Sequence, residues 1–329
     1  MKPSKKSFVS RNSKRKVESV AADNELDTRN GSRRRILELT SAPNAVVAET
    51  LSSLIDGHGA VAAGDVWSPH GNRAPSPIRL DEATGFIKNP EHKAALREWW
   101  VSEEPLLNRA LAQRQTAGRQ SKAVRLPAFD LVATCQCGVD IPVCAESQCG
   151  VDIPVCANEK EQSADKNVYA TLPGLLLIHA AAHIGELNSD HAHQREKLTL
   201  PQIRKAFADA SSGWNALLEK RADDFGYKLS HRVKLSTDSH YRLSCNFAIA
   251  WKLAQLGIPT ILLYLGFLDA FELEPDGRLI FNDQAMWEKC VFEKTSKPLP
   301  EEIWDASFEV PGGASITVLR RTLTLATHC

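Results

Sequence analysis

The chain has 329 residues, 43% hydrophobic and 24% charged, which suits one large folded domain or two medium ones and excludes a mini-protein dependent on staples. Its zero formal net charge hides a division: residues 1–35 hold eleven Lys/Arg against four Asp/Glu, and the remaining 294 hold twenty-nine against thirty-six. No run approaches the roughly 18 apolar residues of a membrane span, and MKPSKKSFVSRNSKRK has no signal-peptide core, so a cytoplasmic protein with no membrane partner and reduced cysteines is expected.

Residues 1–35 are polar, basic and aperiodic, the composition of a disordered tail. Lys5-Lys6, Lys14-Arg15-Lys16 and Arg33-Arg34-Arg35 suit phosphates and make DNA a candidate partner. Residues 36–89 read as a lead-in, with a short helix from Ile36 to about Asp56, Ser41 as a cap and Pro43 in a first turn. Gly57 to Arg79, rich in Gly, Pro and Ala, reads as linker. Asn89-Pro90 then opens a stronger helix with Leu96, Trp99 and Trp100 on one face, running to about Pro105 and resuming through LLNRALAQR.

Leu126 to Cys135, LPAFDLVATC, is short, apolar and partly β-branched, and reads as a strand. Beyond it QCGVDIPVCA occurs twice without a mismatch, from Gln136 to Ala157. Five of the eight cysteines lie between Cys135 and Cys156, at spacings Cys135-x-Cys137-x₆-Cys144-x₄-Cys149-x₆-Cys156 that differ from the paired units of zinc knuckles and ribbons. Identity over ten residues exceeds what a structural repeat needs, so a tandem duplication inserted at 135–165, whose copies could pair as a small edge hairpin, is the preferred reading. A zinc or other soft-metal site and a redox pair are the alternatives.

GLLLIHAAAH, Gly174 to His183, begins as a buried strand. LPQIRKAFADASSGWNALLEKR follows as a helix weakened at Ser211-Ser212-Gly213. HYRLSCNFAIAWKLAQLG is a helix capped by Asp238 or Ser239 and ended by Gly257, and Ile258 to Leu268 is a buried parallel-type strand. A helix starting near Asn282-Asp283 and a hairpin around Pro311-Gly312-Gly313 complete the chain. The order predicts an α/β domain over residues 90–329, with helices covering a mixed sheet.

An aspartate inside an apolar strand is costly unless paired or bound to metal, which singles out Asp130. FDLVATC with GLLLIHAAAH resembles the PD-(D/E)xK nuclease superfamily, in which an Asp stands on one strand and Glu-x-Lys on the next. It is also similar to a bacterial family whose second strand reads roughly LLLVEAKAH. The resemblance covers about Leu126 to Leu268, including DSHYRLSCNFAIAWKLAQLGIPTILLYLGFL. It implies a restriction-endonuclease-like fold and metal-dependent phosphodiester hydrolysis of DNA, with Mg²⁺ or Mn²⁺ held by carboxylates and a lysine stabilising the attacked phosphate.

Asp130 matches the Asp position, whereas His179 stands at the Glu and Ala181 at the Lys. Losing one carboxylate and the cation makes a catalytically degenerate descendant the more economical expectation. In an active site, Asp130, His179 and the Ala180 carbonyl would hold the metal, and His183 or Glu186 would assist the water. His179, His183, Glu186, Asp190, His191 and His193 form a His-rich stretch that suits a transition metal such as zinc, and His179-x₃-His183 also has the spacing of a zinc-binding helix. Arg204, Lys205 and His240, the last at a helix N-terminus, are candidates for phosphate contact. The rival functions are a non-catalytic nucleic-acid-binding or interaction protein and a His/Cys metal-binding regulator.

Overall fold

A computed structural model describes residues 31–69, 78–80, 86–101, 128–137, 172–187, 200–237 and 240–325. Helices α1 (Gly31–Thr40) and α2 (Asn44–Leu54) come first, followed by the two-residue strands β1 (Gly59–Ala60), β2 (Trp67–Ser68) and β3 (Ile78–Arg79). Helix α3 (Pro90–Val101) precedes β4 (Ala128–Phe129), β5 (Leu131–Cys137) and β6 (Leu172–Ala181). Then come α4 (Ile184–Leu187), α5 (Leu200–Phe225), α6 (Tyr241–Gln255), β7 (Thr260–Leu268), α7 (Gln284–Thr295), β8 (Ala306–Glu309) and β9 (Ser315–Thr324).

The principal sheet runs β1-β5-β6-β7-β9-β8, with β2 also paired to β5. Antiparallel pairing joins β5 to β6 and β8 to β9, while β6, β7 and β9 are mutually parallel neighbours. The protein is thus a mixed α/β structure with a mixed sheet flanked by helices. Among the described residues no helix is long and apolar enough to cross a membrane.

The period-2 alternation of the central strands divides the core into two layers. Leu175, Leu177 and Ala181 of β6 join Leu262 and Tyr264 of β7 beneath α5 and α6, where Trp214, Phe247 and Trp251 fill the interface. Leu176, Ile178 and Ala180 join Leu263 and Leu265 on the opposite face, covered by Ile36 and Leu39 of α1 and Val47 and Leu51 of α2. Strand β7 is buried along almost its whole length because helices cover both of its faces.

Several expectations need correction. Residues 31–35 of the expected tail are helical, because long-range partners hold them: Arg35 is 3% exposed and its Nη2 lies 2.7 Å from Glu272 Oε2. Residues 1–30 lie outside the described residues. The single helix from Ile36 is two helices broken at Ser41, whose Oγ donates back to the Leu37 carbonyl at 2.6 Å instead of capping forward. The supposed linker supplies β1 and β2, and Trp67 within it is buried. The strand around Asp130 is interrupted at that residue and extends to Cys137.

Helix α5 passes through Ser211-Ser212-Gly213 without a break. A Cβ at Gly213 would collide with the Trp251 indole, so that glycine serves close helix packing. The helix expected to start near Asn282-Asp283 is present as α7, and Asp283 caps it, its Oδ1 accepting from the Met286 N–H at 2.7 Å. All of the duplicated stretch beyond Gln136 and Cys137, with the edge hairpin expected in it, and the expected caps Asp238 and Ser239 lie outside the described residues.

Candidate functional site

Antiparallel register sets Leu131 against Ile178, so the preceding residue, Asp130, stands opposite His179. The Asp130 N–H donates to the Ile178 carbonyl at 3.0 Å, which keeps Asp130 in the ladder although the strand proper starts one residue later. Opposed residues of adjacent strands place their Cβ atoms on one face within about 5 Å. Accordingly, His179 Nδ1 lies 3.0 Å from Asp130 Oδ2. An ionised carboxylate only accepts, so Nδ1 carries the proton of this bond.

Two further groups address the same carboxylate. The Ala180 N–H donates to Oδ2 at 2.8 Å, and Nη2 of Arg242, in the first turn of α6, lies 2.6 Å from Oδ1 and 2.7 Å from Oδ2. Burial alone would push the Asp130 carboxyl up. The Arg242 charge, the His179 hydrogen bond and charge, and the Ala180 N–H outweigh it and hold the carboxyl well below the usual carboxylate range.

The polar rung continues across the sheet. His179 is in register with Tyr264 of β7, and Tyr264 with Arg320 of β9. The His179 and Tyr264 rings meet edge-to-face at 5.0 Å, and Trp304 meets Tyr264 edge-to-face at 5.2 Å. Asn246 lies one helical turn after Arg242 on α6, so both address this rung. Its Nδ2 donates to Tyr264 Oη at 3.3 Å, and its buried Oδ1 has no partner among the described residues.

The other expected site residues are engaged elsewhere. Strand β6 ends at Ala181, and His183 forms an isolated antiparallel bridge with Ile280, its Nε2 accepting from Arg278 Nη1 at 3.0 Å. Burial, followed by the Arg278 charge, lowers the His183 pKa. Glu186 Oε1 accepts from the Ser32 N–H at 3.0 Å and from Ser32 Oγ at 2.9 Å, and its Oε2 accepts from the Ala182 N–H at 2.6 Å. Burial raises the Glu186 pKa against these hydrogen bonds. Its carboxylate serves as the N-terminal cap of α1, a role supplied from 154 residues away.

His179 lies on a strand, so the spacing of a zinc-binding helix does not apply to it. Asp190, His191 and His193 lie outside the described residues. Among the described residues no group of three or more His, Cys, Asp and Glu is arranged to hold a metal. Ala180 donates its N–H to Asp130 Oδ2. Arg204 and Lys205 are both exposed on α5, and Arg204 Nε donates to Thr237 Oγ1 at 3.3 Å in the segment leading to α6. His240 precedes α6 in a left-handed conformation, with φ 56°.

Arg242 is the participant that strand reading missed. A signal was present: a cation in the first turn of a helix opposes the macrodipole and implies a specific anionic partner. Comparison with protein-family profiles, curated proteins and solved structures finds no match.

Proposed function

We propose that the protein is a catalytically degenerate relative of the PD-(D/E)xK nucleases, built on a restriction-endonuclease-like fold. The observation that carries this reading is the position of Arg242 Nη2, within 2.7 Å of both Asp130 oxygens. A single nitrogen straddling a carboxylate stands where a divalent ion chelated by both oxygens would sit. Support also comes from the placement of Asp130 and His179 on neighbouring antiparallel strands, with helices α5 and α6 leading into parallel β7.

The residues present do not fit a resident Mg²⁺ or Mn²⁺. Both Asp130 oxygens already face a cation, and Oδ2 additionally takes the His179 and Ala180 hydrogens. His179 replaces the second carboxylate, and the Ala181 side chain has no charge with which to stabilise a phosphate. No hydrolytic step is assigned to this arrangement.

The test is DNA cleavage with Mg²⁺ or Mn²⁺ by the natural chain, Asp130→Ala, and a triple variant Arg242→Ala/His179→Glu/Ala181→Lys. Inactivity of the natural chain is expected, with cleavage appearing in the triple variant if the scaffold remains competent. Cleavage by the natural chain that disappears in Asp130→Ala would overturn the reading.

Retained nucleic-acid binding is the second reading. It is favoured by exposed Arg204 and Lys205 beside the segment leading to α6, together with the basic composition of residues 1–35. Fluorescence anisotropy on single- and double-stranded DNA tests it. Binding that weakens with salt and with Arg204→Ala/Lys205→Ala is expected, and salt-insensitive or absent binding opposes it.

A further inference from the structure

Cys135 and Cys137 are alternate residues of β5, so both side chains leave the sheet on the face covered by α1 and α2. Cys135 is buried, Cys137 is half-buried, and both are free thiols. Their Sγ atoms lie 3.1 Å apart. Alternate residues of a strand have Cα atoms about 6.6 Å apart, inside the roughly 4.4–6.8 Å range of disulfides and close to its upper edge. Closing the bond therefore requires a small pucker at Gln136 and no rearrangement of the fold.

The neighbouring chain permits that pucker. Gln136 pairs with Pro173, which has no N–H to give the ladder, and on its other side with Ala60 of the two-residue strand β1. Cys135 pairs with Gly174, where a Cβ would collide with Cys137 Sγ. The missing side chain makes the room in which the second sulfur sits.

We propose that Cys135 and Cys137 form a reversible dithiol–disulfide couple that exchanges with low-molecular-weight disulfides of the glutathione type. The more exposed Cys137 thiolate attacks one sulfur of the small disulfide, forming a mixed disulfide and releasing one small thiolate. Cys135, deprotonated in turn, attacks Cys137 Sγ and releases the second. Two protein thiols are oxidised, one small disulfide is reduced to two thiols, and the two protein protons pass to the released thiolates or to solvent.

The order of attack follows from the surroundings. The Cys137 hydrogen bond, burial and the nearby Cys137 charge push the Cys135 thiol far up, so Cys135 is the poorer first nucleophile. Capping Cys137 removes the first and third of these causes. A bond near the geometric limit is more easily reduced than a relaxed one, which keeps the couple reversible.

The experiment equilibrates the full chain, carrying Cys144→Ser, Cys149→Ser and Cys156→Ser to remove competing partners, across a series of reduced and oxidised glutathione. Differential alkylation and peptide mass spectrometry then read residues 135 and 137. Loss of two hydrogens from the peptide holding both cysteines, reversed by dithiothreitol, is expected. Cys135→Ser should accumulate a stable glutathione adduct on Cys137, and Cys137→Ser should keep Cys135 alkylatable after unfolding. Full alkylation of both cysteines throughout the series, or a persistent adduct on Cys137 with Cys135 intact, would overturn the proposal. The pair retained in the three-serine chain decides the matter even where Cys135→Ser fails to fold.

Discussion

Arg242 Nη2 bridges the two oxygens of Asp130 at 2.6 and 2.7 Å, joining the first turn of α6 to the start of β5 across 112 residues. The side chain of Asp130 is 16% exposed and that of Arg242 34% exposed, so the pair is partly withdrawn from water. Removing one partner from such a pair strands the other charge. Arg242→Met should therefore destabilise the fold by about 3 kcal/mol, the lower end of the range for buried pairs. Asp130→Asn/Arg242→Met should lose less than the sum of the single variants, as measured by urea unfolding.

The same pair sets an acid limb. The Asp130 carboxyl is held below its unfolded value of roughly 3.9, so its stabilisation is fully present above that pH and is lost as pH falls through the folded value. Unfolding free energies measured from pH 7 downwards should diverge between the natural chain and Asp130→Asn at neutral pH. The two curves should converge in acid. A constant difference across the range would refute the assignment.

Ser32 and Glu186 fasten α1 to the end of β6. Ser32→Ala removes the Oγ donor at 2.9 Å and keeps the backbone donor, so a loss of about 1 kcal/mol is expected. Amide hydrogen exchange should quicken within residues 31–40 before it changes in β6 or β7. Equal changes in all three would mean that the contact acts on global stability alone.

Removing one copy of the duplicated motif should be nearly silent. The connection from Cys137 to Leu172 would shorten by twelve residues, less than a halving, and a doubling of loop length costs only about 0.6 kcal/mol. Deletion of residues 146–157 should leave the urea midpoint almost unchanged. A large loss would show that the insertion packs on the domain.

Elements whose signal is local were legible in the sequence. The buried run of β7, the start of α7 near Asp283 and the hairpin between β8 and β9 all follow from composition and turn residues. Strands β1 and β2 were not legible, because two residues carry no periodicity and their conformation is set by the edge of β5. The first turn of α1, residues 31–35, was hidden because Arg35 and Ser32 owe their order to Glu272 and Glu186, more than 150 residues away.

The candidate site divides in the same way. Asp130 and His179 could be paired from two strand readings. Arg242 could not, because its contact depends on how α6 crosses the sheet. Glu186 and His183 were expected to attend a metal-bound water, and the contacts that engage them come from α1 and from Arg278.

The Arg242 guanidinium has a consequence for how the domain behaves in a test tube. A carboxylate neutralised by a diffusible ion loses its partner to a chelator, and its fold then depends on the metal content of the medium. Here the cation is covalently part of the chain and cannot be dialysed away. Charge balance at Asp130 is therefore completed by folding itself, and the melting temperature should be the same in EDTA as in excess Mg²⁺.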